Sequence, residues 1–300
     1  MRVLAVSRRG RGLGLGSQQS GVALLIVLWA CTLAAIVLGG LASAARIESL
    51  QARVESDRTR AHYAALGGID RAVYALRISD ERLHWIADGR EYRLRLGGSD
   101  VRVAITDNDG KINLNAATPQ LLQRLLVLSG LNDGEAQTLV AAIQEWRSHG
   151  VVAPSGEDGA PAPAALGGFA SIEELQTVPG MTRGTYLAIE PVLTLWSVNS
   201  IPSPAHADAL ALAASTGLTL RQAMDFVAVR NSTASPEYAL LMLPTGTRVI
   251  AGGGSSVVSI DATATTASGV SSRVRVTIQV IANVGDNRAY KVLRWQEEDS

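Results

Sequence analysis

The chain has 300 residues, 47% hydrophobic and 18% charged, which predicts a packed protein of one large or two smaller domains and excludes a disordered one. Its 27 basic and 27 acidic residues cancel, but Arg2, Arg8, Arg9 and Arg11 all precede Gly21; without those four, 23 basic face 27 acidic residues, a mildly acidic body that argues against a nucleic-acid partner. The single cysteine, Cys31, excludes an internal disulfide, and 4% aromatics are too few for a base-stacking platform.

From Val22 to Ala45 no residue is charged. As a helix rising about 1.5 Å per residue, the run spans a hydrocarbon core of roughly 30 Å. The preceding arginines keep the N-terminus cytoplasmic and send the rest outward. A cleaved secretory signal fits less well, because the apolar run is longer than an ordinary signal core and passes unbroken into a helical pattern. Ile47, Leu50, Val54, Ala61, Ala65, Ile69, Val73 and Leu76 recur at helical spacings, with charges such as Glu48, Arg53, Asp57, Arg58 and Arg60 between them. With no proline from Val22 to Arg77, one helix of about 55 residues, close to 85 Å long, is expected. Gly39-Gly40 is its weak point.

Glu91–Leu96 and Val101–Thr106 read as strands joined through Gly97-Gly98-Ser99-Asp100. A turn at Asn108-Asp109-Gly110 follows, then a short extended piece and a helix capped by Thr118 with Pro119 at its first position. Leu121, Leu122, Leu125, Leu126 and Leu128 give that helix an apolar face. Asp133 is expected to cap a second helix running to Ser148, with Val140, Ile143 and Trp146 inward. Residues 153–168 read as a flexible Pro/Ala/Gly loop. Ser171 and Glu174 form a capping-box pattern that predicts another helix. A turn at Thr177–Thr182 leads into Arg183–Ile189, and Val192–Trp196 reads as a strand. His206–Thr216 and Leu220–Arg230 read as helices.

Ser256–Ile260, Arg273–Ile281 and Ala289–Trp295 read as strands, the last pair turning at Gly285-Asp286-Asn287. The expected class is α+β: a long N-terminal transmembrane helix packed on one antiparallel sheet built from 91–106 and 256–295, with a large inserted α-helical domain resembling helix-hairpin-helix or SAM-like modules. The expected boundaries are 1–21 leader, 22–78 helix (22–45 in the membrane), 79–111 first part of the sheet domain, 112–250 insert and 251–300 closing strands.

No Gly-x-Ser-x-Gly elbow, phosphate loop or His-Glu-x-x-His pattern occurs, and His62, His84, His149 and His206 are isolated. An enzyme is therefore not expected. Asp107, Asp109 and Asn113 resemble the opening of a calcium loop, but Thr118 stands where that loop needs its glutamate. No cofactor is required on this reading, and calcium is the one metal these residues suggest.

A short basic leader ending in Gly21, followed by Val22-Ala23-Leu24-Leu25-Ile26-Val27-Leu28 and a long amphipathic helix, resembles a type IV prepilin. Residues 18–30 and 105–118, the latter holding Gly110-Lys-Ile-Asn-Leu-Asn-Ala-Ala-Thr118, are similar to the K-type minor pseudopilin of the type II secretion system. Thr194-Leu-Trp-Ser197 and the ending at Tyr290–Glu297 are similar too. The INxNTA-like repeat that often follows is replaced here by Val198-Asn-Ser-Ile-Pro-Ser-Pro204. The resemblance implies cleavage after Gly21 by a prepilin peptidase, N-methylation of Val22, and single-pass anchoring in the inner membrane with a periplasmic C-terminal domain. It implies I- and J-type minor pseudopilins and the inner-membrane secretion platform as partners, and calcium as a bound ion. Most pilin-like subunits carry glutamate at mature position five, where this chain has Ile26. Lacking that acid, the chain is a poor receiver of another subunit's amine while still able to offer its own at Val22, which suits the pseudopilus tip and a part in starting assembly. A membrane-anchored helix-hairpin-helix DNA receptor is the alternative, since 113–117 and 172–180 also match that module's pattern.

Overall fold

The computed structural model describes residues 20–78, 80, 82–148, 168–232, 241–249, 254–281 and 288–299. The basic leader before Ser20, most of the 153–168 loop, His149 and the turn at 285–287 lie outside the described residues. The chain divides into two units, residues 1–56 and 57–300, taken separately below.

Helix α1 runs from Ser20 to Arg77, as the absence of proline and the helical spacing predict. In the first unit it is apolar on all sides from Val22 to Leu41, and no part of that stretch is buried. By length and composition it is long enough to cross a membrane.

The second unit holds α1 from Asp57 onward, a five-stranded antiparallel sheet, and a helical insert. The strands are β1 (Asp88–Leu96), β2 (Ser99–Asp107), β5 (Val257–Thr265), β6 (Ser271–Val280) and β7 (Tyr290–Asp299), side by side in that order. Gly97 and Gly98, with φ of +57° and +83°, close the β1–β2 hairpin, a conformation that glycine adopts freely. Alternation turns Val101, Val103, Ile105, Ile260, Ala262, Val274, Val276 and Ile278 toward α1, where Ala64, Ala65, Ile69, Ala72 and Val73 meet them. Gly68 brings the helix close: a Cβ there would stand 2.9 Å from Val101. The opposite face carries Asp261, Arg273 and Arg275 toward the insert. Strand β5 is longer than expected, because Ala262 and Ala264 alternate with polar residues as buried positions without the bulk that marks a strand in sequence.

The insert joins β2 to β5. It comprises β3 (Ile112–Asn113), α2 (Pro119–Leu128), α3 (Asp133–Ser148), α4 (Arg183–Ile189), β4 (Leu193–Thr194), α5 (Ala209–Thr216) and α6 (Leu220–Ser232), with β3 and β4 paired in parallel. It has its own core, centred on Leu114, Leu125, Leu126, Ile143, Leu175, Ile189 and Leu212. Thr118 caps α2, accepting from Leu121 N at 3.2 Å.

Three local expectations are corrected. Asn132, and not Asp133, caps α3: its Oδ1 accepts from Glu135 N at 2.9 Å while Glu135 accepts from Asn132 N at 3.1 Å. Ser171 does not open an α-helix. Glu174 accepts from Ser171 N at 3.2 Å, but only a 3-10 turn forms over Glu173–Thr177, since Val178 precedes Pro179 and is extended. Helix α5 starts three residues later than expected, because Asp208 caps it through Ala211 N at 2.7 Å.

Candidate assembly site

Gly21 and Val22 fall in the first turn of α1. Val22, Leu25, Ile26, Trp29 and Leu33 line one shallow apolar groove. Ile26 is 64% exposed, so the position holds a bare hydrocarbon side chain with nothing to neutralise an amine. Leu50 and Val54, 57% and 47% exposed, lie higher on the same helix, bare of cover. The Ile47 side chain lies outside the described residues.

The 105–118 stretch is the joint between sheet and insert, and its Asp107, Asn108, Asp109 and Asn113 side chains are buried and hydrogen-bonded. Asp107 Oδ1 accepts from Asp109 N at 2.8 Å and caps the 3-10 turn at Asn108–Gly110. Burial, more than the neighbouring Asp109 charge, pushes its carboxyl up to about 7. Asn108 Oδ1 accepts from Thr194 Oγ1 at 2.6 Å, and its amide reaches Val257 O and Ser259 Oγ on β5, each at 3.3 Å. Asp109 Oδ1 accepts from Ser197 Oγ at 3.0 Å. Asn113 donates to Ser197 O and accepts from Asn115 N at 2.8 Å and Ala116 N at 3.2 Å. Gly110 is fixed by contact: a Cβ would come within 2.4 Å of the His206 backbone.

The structure therefore brings Asp107, Asp109 and Asn113 into one joint, but an Oδ1 of each accepts from protein N–H or O–H groups. Among the described residues no group of three or more His, Cys, Asp or Glu side chains is placed to hold a metal. With these oxygens engaged, the three residues do not fit a calcium ion as they stand.

Charged side chains tie the same joint. Arg147 donates to Ala117 O at 2.8 Å and to Leu114 O, its guanidinium lowered to about 10 by burial. Arg230, wholly buried, donates to Pro204 O, Ala207 O and, at 2.7 Å, to Asp88 O on β1. Glu190, in the 3-10 turn after α4, lies 3.0 Å from Arg275 and 2.7 Å from Arg294. Arg294 also meets Glu173 at 2.6 Å, joining β7 to the insert. Sequence reading missed Arg147, Arg230 and Glu190, whose partners lie far along the chain; Thr194 and Ser197 were visible only as part of Thr194-Leu-Trp-Ser197. Of the histidines, His206 sits in the joint, its Nδ1 3.3 Å from Ala87 O, and burial lowers its pKa. His62 makes an edge contact with Tyr63, and His84 Nδ1 lies 3.3 Å from Ile78 O.

At the helix-hairpin-helix-like turns, Asn132 and Glu135 bond to each other's backbone and Thr182 caps α4. Asp133, Glu135 and Arg183 are exposed there, so acids outnumber bases on these turns. This is a poor surface for phosphates.

Residues 101–198 match the family of type II secretion system (T2SS) protein K. A chain in the crystal structure of the GspK-GspI-GspJ complex from the type 2 secretion system of enterotoxigenic Escherichia coli shares the fold, with a TM-score of 0.50 and 17% identity over 83% of this chain and 100% of that one. No curated protein matches in sequence. The matched segment is the stretch from β2 to β4 that carries the joint itself.

Proposed function

We propose that this chain is a protein K of the type II secretion system, a minor pseudopilin that forms the tip of the periplasmic pseudopilus and helps to start its assembly. The observation that carries the reading is Ile26 at mature position five, in a charge-free helix exposed from Val22 to Leu41. A subunit entering a filament offers its amine to the glutamate of one neighbour and its own glutamate to the amine of another. This chain can do the first and not the second, so nothing is expected to stand ahead of it. The helical insert adds bulk that suits a filament's end better than its wound interior.

Cleavage after Gly21 and methylation of Val22 by a prepilin peptidase would release that amine. The helix then anchors the chain in the inner membrane, N-terminus in the cytoplasm and sheet and insert in the periplasm. The assembly platform would lift it out together with other minor pseudopilins; the relative described above is in complex with GspI and GspJ. Leu50 and Val54 supply an apolar seam for a partner's helix.

Ile26→Glu tests the tip reading. The variant is expected to be processed normally but to initiate fewer filaments, because an acid with no amine ahead of it is buried unpaired. Filament number unchanged from the wild type would reject the role assigned to Ile26.

A further inference from the structure

Inside the second unit, a cavity of about 170 Å³ lies where the insert-facing side of the sheet meets the insert. Lys111, Asp208, Ser259, Asp261, Arg273 and Arg275 are among its lining residues.

Its charges are unevenly matched. Asp261 accepts from Arg273 Nε at 2.9 Å and lies 3.5 Å from Arg275, which also pairs with Glu190. Asp208 spends its carboxylate on the N-terminus of α5. Lys111 donates to Ser259 Oγ at 3.1 Å and forms no ion pair with any described residue. An ammonium has three N–H donors, so the others lack a protein acceptor among the described residues. Loss of hydration, with help from nearby Arg275 and Arg294, lowers this amine to about 8, while Glu190 and Asp208 oppose the shift. A half-buried ammonium that shares its nearby carboxylates with two arginines is costly. The space, several times the ~30 Å³ of one water, admits a small polyatomic anion. A cation would face three positive side chains and two carboxylates already engaged.

We propose that this cavity binds a small oxyanion, with Lys111 as its principal ligand. The bound group would tie the 108–111 turn to β5 and β6 and so stiffen the joint between insert and sheet. The proposal stands on this cavity alone and does not depend on the tip reading.

The test uses the full chain in detergent, titrated by calorimetry with inorganic phosphate in one arm and acetate in the other, at matched ionic strength in chloride. One saturable site per chain is expected in at least one arm. Saturation by phosphate alone identifies a tetrahedral oxyanion, and saturation by acetate alone a carboxylate. Lys111→Met should weaken that binding about ten-fold or more, the loss expected for hydrogen bonds to a charged group. Lys111→Arg, which keeps the charge, should retain it. No saturable heat from the wild type in either arm overturns the proposal, whatever the variants do. So does equal affinity in the wild type and a folded Lys111→Met.

Discussion

Thr194 on β4 donates its hydroxyl proton to the side-chain oxygen of Asn108, 86 positions earlier, at 2.6 Å, with both residues buried. Asn108 in turn reaches β5, so one side chain holds insert and sheet together. Thr194 Oγ1 also accepts from Trp196 N at 3.1 Å. Thr194→Val keeps the shape and leaves Asn108 Oδ1 and Trp196 N without partners. A loss of about 2–4 kcal/mol in unfolding free energy is expected, measured by denaturant titration. A loss below about 0.5 kcal/mol would show that the bond does not hold the joint.

Asp107 sets a pH dependence. Its pKa rises from 3.8 unfolded to about 7 folded, chiefly through burial, so the folded chain favours the protonated carboxyl. Its contribution is least unfavourable below pH 3.8 and becomes more destabilising as pH climbs through about 7. Asp107→Asn keeps an acceptor for Asp109 N and cannot ionise. Relative to the wild type, this variant should be more stable at pH 8, by about 1–3 kcal/mol, with the advantage vanishing near pH 4. The difference in midpoint of thermal unfolding across that range is the measurement. A constant difference would contradict it.

Asp109 is the third test. Its carboxylate accepts from Ser197 Oγ at 3.0 Å, and asparagine can do the same. Asp109→Asn should change stability by no more than about 0.5 kcal/mol. Calcium and a chelator should shift wild type and variant equally. A calcium-dependent stabilisation present in the wild type and lost in the variant would put a cation at this turn.

Much of this architecture is legible from local pattern. Proline-free apolar spacing gives α1, Gly97-Gly98 gives the hairpin, and Thr118-Pro119 gives the start of α2. Errors arise where two local signals compete. Asn132 and Asp133 are adjacent candidate caps, and only one side chain sits where Glu135 can answer it. Ser171 and Glu174 begin a capping box, but Pro179 leaves too few residues for an α-helix. The polar joint was half visible. Asp107-Asn108-Asp109 marks a turn, yet its partners Thr194, Ser197 and Ser259 lie 86 to 151 positions away, and no local period reports such pairings. Arg230 was unreadable for the same reason: only folding shows that its donors meet three carbonyls.

On the proposed function, α1 enters assembly through a free amine at Val22, with no acid at Ile26 to receive another. Mass spectrometry of the protein recovered from membranes tests it most directly. A mature chain beginning at N-methylated Val22 is expected, and an unprocessed precursor when Gly21 is replaced by alanine. A native chain that begins anywhere else, or normal processing of the Gly21→Ala chain, would contradict it.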